Sequence, residues 1–476
     1  MQNTQQLNFC FEGDNRLSDN LLQGKFLHLV EFVTPLTASP REESLALTRK
    51  FAEGLSAEDD IFAVTVDDRL LGLASQDPGD YAAEILESSH KPVILTISGC
   101  GSDIMRVKSL LAEAKSRGIR NVFLTTGLLQ ADGTDTLPFL DSVAMLRQLN
   151  TPENQEFHFG CAVNPYQYLL ETQVLQYAKL KKKIQAGASF FVSQAGWDMK
   201  KAQELQWFLM KAGEAVSVFA RICVFTAETV RQINAPWHGL QIPLAIASLL
   251  MQEATDDPDK FLERQFSRLA LQIAGYRKLG YAGVQIMGIK DNAMLRQLLA
   301  AAREADAKYP DFASWLQAWN AEIERYEVTP SLTPHYLFQN LLLPGHQDYA
   351  DSEPFANGLS PQPPLWKDKA TSCLWSKLAS PKAPAWLKNF AQKLSGRTPS
   401  DNLRLAECGY LSNDSCPKHL TSGQCGSSRF DGSCEDGSRP CFFLRVMRLL
   451  AAQKRLADLE KPPVASRADA NSPSQP

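Results

Sequence analysis

The sequence predicts an α/β protein: a (β/α)8 barrel followed by a small Cys-rich domain. Three observations predict it. Between about residues 26 and 305, eight short β-type runs alternate with longer helical patterns. Most of these runs are rich in Val, Ile or Phe, as strands covered on both faces of a parallel sheet must be. Five of the ten cysteines, Cys408, Cys416, Cys425, Cys434 and Cys441, fall in one short C-terminal segment. Strands alternating with helices imply parallel pairing through right-handed crossovers, and eight of them close naturally into a barrel. An open doubly wound sheet is the competing arrangement. No strand is followed by the glycine-rich phosphate fingerprint that a dinucleotide-binding version of it carries.

The expected strands cover 26–33, 61–66, 93–97, 121–125, 157–163, 189–193, 216–222 and 283–287. In the seventh, Val216, Val218, Ala220 and Ile222 alternate with Ser217, Phe219 and Arg221, the two-residue period of a strand. Helical patterns fill the gaps at 41–55, 79–88, 103–117 and 291–305. Tyr177, Leu180, Ile184 and Ala188 follow helical spacing, with Lys179, Lys181, Lys182 and Lys183 mostly on other faces. Asp198 is placed to cap the helix after Trp197. From about 329 to 384 prolines interrupt any period, which predicts a surface-wrapping linker; Trp366 and Trp375 suggest that part of it packs. A short helix at 385–394, the cysteine cluster and a helix at 443–459 follow. The expected organisation is an N-terminal extension (1–24), the barrel (25–310), a Pro-rich connecting segment (311–395), a Cys-rich domain (396–460) and a disordered tail (461–476).

Composition excludes several classes. Lys plus Arg is 49 and Asp plus Glu is 53, a net charge of −4, so no basic footprint for nucleic acid or polybasic membrane anchor is present. No apolar run reaches the roughly 18 residues of a membrane span. Residues 1–20 are polar and hold acids, unlike a secretory signal, so a cytoplasmic, reducing location is expected. There, clustered cysteines read as metal-binding sooner than as disulfides.

In a (β/α)8 barrel, chemistry sits at the C-terminal ends of the strands. The first strand ends Leu29-Val30-Glu31-Phe32-Val33-Thr34-Pro35, and alternation places Glu31 on the face of Leu29 and Val33. A carboxyl group among such neighbours is poorly hydrated, which raises its pKa and suits it to general-acid work. A buried glutamate paired with a lysine or arginine is the equal alternative. Thr65 ends the second strand, followed by Asp67 and Asp68, and Gly127 follows the fourth. Gln194, after the sixth, can donate and accept through one amide, which suits a lactam-like ring edge such as a pterin; a core amide bridging backbone is the plainer reading. Lys181 to Lys183 could meet a phosphate, although a solvated helix face is the commoner cause of such a run.

These segments resemble the methylenetetrahydrofolate reductase family over about residues 25–305. The run Leu29 to Pro35 is similar to its first-strand motif, and Gly118-Ile119-Arg120-Asn121-Val122 to its approach to the fourth strand. The most specific match is Leu180 to Ala188 running on to Ser193-Gln194, with Gly239-Leu240-Gln241-Ile242-Pro243 and Gly280-Tyr281-Ala282-Gly283-Val284-Gln285 matching late segments. The resemblance implies a barrel that binds FAD and reduces 5,10-methylenetetrahydrofolate to 5-methyltetrahydrofolate, the methyl carrier of one-carbon metabolism and methionine biosynthesis. NAD(P)H or an electron-transfer protein would supply electrons, and a homo-oligomer is expected. It implies Glu31 as the acid, Gln194 as the pterin ligand, and Thr65, Gly127 and Lys183 as FAD contacts. The sequence departs from the family's pattern on the flavin side. Leu128 stands where an aspartate is usual, the third strand offers no histidine, and Asn164 replaces a tyrosine, with Tyr166 nearby. Two alternatives fit those departures: a flavin-free folate-binding methyltransferase barrel, and a non-catalytic partner subunit docking through its Cys-rich domain.

The cysteine segment, with its Cys416-Pro417-Lys418, Cys425-Gly426 and Cys434-Glu435 pieces in order, resembles the small C-terminal domain found beside some reductases of this family. Thiolates at Cys408, Cys416, Cys425, Cys434 and Cys441 would hold zinc or an iron–sulfur cluster. No Cys-x-x-Cys knuckle names the metal, and a reduced set of packing cysteines is the alternative.

Overall fold

The computed structural model describes residues 16–67, 75–129, 138–231, 240, 242–324, 326–330, 333–338, 340–342, 361–378, 384, 386 and 406–461. Eight parallel strands, β1 (Leu27–Val33), β2 (Ile61–Asp67), β3 (Val93–Ser98), β4 (Asn121–Thr125), β5 (His158–Val163), β6 (Phe190–Ser193), β7 (Ser217–Cys223) and β8 (Gly283–Met287), close in sequence order into a barrel. The barrel is closed by pairing of β1 with β8, Leu29 opposite Gln285.

Fourteen helices accompany the strands among the described residues: α1 (Arg16–Leu22), α2 (Arg41–Ser56), α3 (Pro78–Ser89), α4 (Ile104–Ser116), α5 (Ser142–Leu149), α6 (Leu170–Gln185), α7 (Met199–Ala212), α8 (Ala227–Val230), α9 (Leu244–Asp256), α10 (Pro258–Lys278), α11 (Asn292–Lys308), α12 (Phe312–Ile323), α13 (Trp366–Leu378) and α14 (Phe442–Ala452). Local chemistry sets their starts. Asp103, Asp141, Asp198, Asp291 and Asp311 each accept a first-turn amide hydrogen, satisfying a donor that the helix cannot.

Two apolar layers follow from strand alternation. Outward residues such as Val30, Val64, Val122, Phe191 and Ile286 pack under the helices. Inward residues Leu27, Leu29, Ala63, Ile94, Phe123, Phe190 and Phe219 fill the lower barrel, joined by Leu17 of α1. Gly160 is required there: a Cβ would stand 2.2 Å from the Phe190 ring. Higher up, the inward positions turn polar, as Glu31, Thr65, Asp67, Thr96, Arg221 and Gln285. The interior is therefore a packed plug with a chemical rim.

The C-terminal part differs from its expectation in detail. α13 occupies a stretch read as linker, and Arg445 ties its Asp368 to α14 at 2.6 Å. The helix expected over 443–459 is divided: α14 ends at Ala452, Lys454 adopts a left-handed φ of 58°, and a 3-10 turn covers Leu456–Glu460. Most of the helix expected at 385–394, and the tail beyond residue 461, lie outside the described residues. The Cys-rich module is not a separate bead. Its apolar residues Leu411, Leu420, Phe443, Val446 and Leu450 share one core with Val174, Leu175 and Ala178 of α6. Among the described residues, no helix is long and apolar enough to cross a membrane.

Candidate active site

A cavity of about 210 Å³ opens at the C-terminal ends of the strands, and Glu31, Asp67, Gln194 and Arg221 all line it. Glu31 is 6% exposed. Its carboxyl group is pushed up to about 8, first by burial and then by the Asp67 carboxylate, with Arg221 pulling the other way. Both sequence readings of this residue are therefore realised in part. Glu31 does have a cationic neighbour, Arg221 at 3.4 Å, but Oε2 makes no hydrogen bond among the described residues. At neutral pH the carboxyl keeps its proton.

A relay beneath the cavity fixes the guanidinium. Arg221 Nε donates to Gln285 Oε1 at 2.8 Å, and Gln285 Nε2 donates to Thr65 Oγ1 at 2.7 Å. Asp67, 3.8 Å from Arg221, accepts from Thr96 Oγ1. Gln194 enters from the end of β6, its backbone N–H anchored on Val163 O at 2.8 Å. Its side chain lines the cavity, and no protein partner for its amide is found among the described residues.

The three residues expected to contact FAD are placed differently from one another. Thr65 is buried one layer below the cavity, engaged with Gln285. Gly127 lies on the rim with a φ of +84°, where a Cβ would meet Ser98 Oγ at 2.4 Å; its carbonyl accepts from Lys418 Nζ at 2.7 Å. Lys183 lines the cavity, but its ammonium donates to Ala162 O at 2.5 Å, and burial lowers its pKa to about 8. As they stand, these residues do not form a flavin cradle.

The Cys-rich module forms one wall. Cys425, Gly426 and Ser427 line the cavity beside Asn164 and Gln176. Lys418 and Glu435 form an ion pair at 2.5 Å with both side chains almost fully buried. Glu435 Oε1 also accepts from Leu129 N at 2.9 Å, stitching the module to the end of β4. Cys416, Cys434 and Cys441 are each held up by burial, with Cys425 as a further raising neighbour, Cys434 to about 12. Cys408 stands apart, beside Lys182 and the Thr421 carbonyl. Among the described residues, no three Cys, His, Asp or Glu side chains are grouped to hold a metal ion. Cys416, Cys425, Cys434 and Cys441 thus neighbour one another, while burial holds Cys416, Cys434 and Cys441 toward the protonated form in the absence of a ligand.

Sequence reasoning did not single out Arg221, Lys418 or Glu435. Arg221 was legible as a cation in an otherwise apolar strand. Lys418 and Glu435 each sit within a cysteine motif and were read only as markers of it.

Fold and site together define a (β/α)8 barrel with a buried carboxyl group, Glu31, and a side-chain amide, Gln194, at its mouth. The chain belongs to the methylenetetrahydrofolate reductase family, whose model, Methylenetetrahydrofolate reductase, matches residues 16–302. A second model, Methylene-tetrahydrofolate reductase C terminal, matches residues 400–468. No curated protein matches the chain. Among solved structures, a Clostridium thermocellum protein that binds two copies of 5-methyl-5,6,7,8-tetrahydrofolic acid is similar at 13% identity and a TM-score of 0.46, covering 61% of this chain and 98% of that one. Tryptophan synthase from M. tuberculosis is similar at 13% identity and a TM-score of 0.35, over 61% and 99%. The carboxyl transferase domain of Rhizobium etli pyruvate carboxylase gives 12% and 0.35, over 63% and 53%.

Proposed function

We propose that this protein reduces 5,10-methylenetetrahydrofolate to 5-methyltetrahydrofolate. The observation that carries the reading is Glu31: a buried acid whose pKa is pushed up to about 8, facing the same cavity as Gln194. Family membership supplies the folate class. The Gln194 amide pairs with the lactam edge of the pterin and fixes its orientation. The Glu31 proton then passes to the ring nitrogen that departs, N10. The bond from the methylene carbon to N10 breaks with its electron pair going to N10, which leaves an iminium at N5. A hydride from a co-substrate of the reduced-nicotinamide class adds to that carbon and gives the methyl group. Arg221, held by Gln285 and Thr65, stabilises the carboxylate left on Glu31 until solvent reprotonates it.

The test uses the full-length protein with methylenetetrahydrofolate and NADH or NADPH under anaerobic conditions, with the folate products separated. Wild type is expected to form methyltetrahydrofolate. Glu31→Gln is expected to lose at least a hundredfold in rate, the usual contribution of a general acid. Gln194→Ala is expected to weaken folate binding about tenfold while leaving the Glu31-dependent pH profile in place. Folate binding that is unaffected by either substitution would overturn the assignment.

A further inference from the structure

We propose that the seated Cys-rich module and a bound FAD are mutually exclusive at the barrel mouth, with residues 425–427 forming a built-in wall of the ligand cavity and Ser422 and Gly423 fastened to α6 behind it. The observation is a series of hydrogen bonds from barrel side chains to module carbonyls along one face. Lys179, Lys182 and Lys183 lie at i, i+3 and i+4 spacing on α6, a row of ammonium groups suited to a ligand diphosphate. None is open. Lys179 pairs with Asp141 at 2.7 Å and donates to Gly423 O at 3.3 Å. Lys182 donates to Ser422 O at 3.1 Å, and Lys183 turns back to Ala162 O.

The neutral donors of the same wall are used in the same way. Gln176 Nε2 donates to Cys425 O at 2.9 Å, and Asn164 Nδ2 to Gly426 O at 2.7 Å. Lys418 covers the Gly127 carbonyl. Four backbone carbonyls of the module thus occupy the donors that a phosphate would need. A buried carbonyl that loses its donor is not compensated by water, so a dinucleotide cannot share this face without unseating the segment. The site is one module thick on this side, and Cys425, Gly426 and Ser427 contact whatever the cavity binds. This inference concerns the wall alone and does not depend on the folate assignment.

The experiment incubates the full-length protein with FAD, removes free ligand and reads flavin absorbance. Amide hydrogen exchange over 418–427 is followed in parallel. Wild type is expected either to retain no FAD or to retain it only with faster exchange in that segment. Lys418→Met is expected to speed exchange there and to tighten FAD binding at least tenfold. Lys182→Met, which removes one anchor without leaving Glu435 unpaired, serves if the first variant does not fold, and is expected to speed exchange in the same segment. Stoichiometric FAD with 418–427 still protected would overturn the proposal. Methyltetrahydrofolate binding, measured on the same samples, separates failure of this inference from failure of the proposed reaction.

Discussion

Replacing Glu31 by Gln is expected to stabilise the protein in a pH-dependent way. The carboxyl sits at about 8 in the fold against 4.5 for an ordinary glutamate. Below the lower value both folded and unfolded chains hold the proton and the residue costs nothing through ionisation. As pH rises through 4.5 the unfolded chain releases its proton while the fold does not, and the penalty grows until about 8, where it levels off. At pH 7 the difference is roughly 2.5 pKa units, or about 3 kcal/mol. Glutamine keeps the shape and cannot ionise, so it removes that penalty. Attraction to Arg221, which a neutral glutamine does not feel, favours chiefly the ionised form, so its removal offsets little below 8. Urea unfolding of wild type and Glu31→Gln at several pH values from 4.5 to 8 measures this. The variant should gain about 3 kcal/mol on wild type between pH 4.5 and pH 7. A stability difference that is flat across this range, or that falls with pH, would refute the desolvation argument.

Three further outcomes follow from other parts of the structure. Arg221→Met removes a cation that draws the Glu31 pKa down, so the alkaline limb of the pH–rate profile should move to higher pH; an unmoved or lowered limb would contradict the pairing. Lys201 is fully buried, donating to Gln173 Oε1 at 2.8 Å, His335 O at 2.7 Å and Glu204 Oε1 at 3.1 Å. Lys201→Met leaves the buried Glu204 without its cation and should cost about 3–5 kcal/mol in chemical denaturation. Gly160→Ala presses a methyl group into the Phe190 ring and should cost roughly 1–3 kcal/mol, read as a lowered melting temperature; an unchanged melting temperature would mean the lower barrel is not tightly packed.

The barrel was legible because strand identity in a parallel sheet is written locally, in short apolar runs such as Val93 to Ile97. The position of Glu31 was legible because alternation alone fixes its face, and burial follows from its neighbours. What the sequence withheld was contact between distant segments. Nothing near Lys182 says that its ammonium meets a carbonyl at Ser422, 240 positions away. A lysine row on a helix reads identically whether it faces water, phosphate or another part of the chain. The role of the cysteines is hidden from the sequence for a related reason. Their spacing suggested ligands, but whether thiols act as donors or as packing depends on their burial and mutual geometry. The left-handed turn at Lys454 that divides the last helix also left no sequence signal, because no glycine or proline marks it.

The proposed reaction requires that Glu31 carry a proton at neutral pH and that a folate bind against it. Infrared spectroscopy of the full-length protein addresses both parts at once. At pH 7 a protonated-carboxyl stretching band is expected that is missing from Glu31→Gln and shifts when 5-methyltetrahydrofolate is added. A spectrum without that band at pH 7, or a band that folate leaves in place, would contradict it.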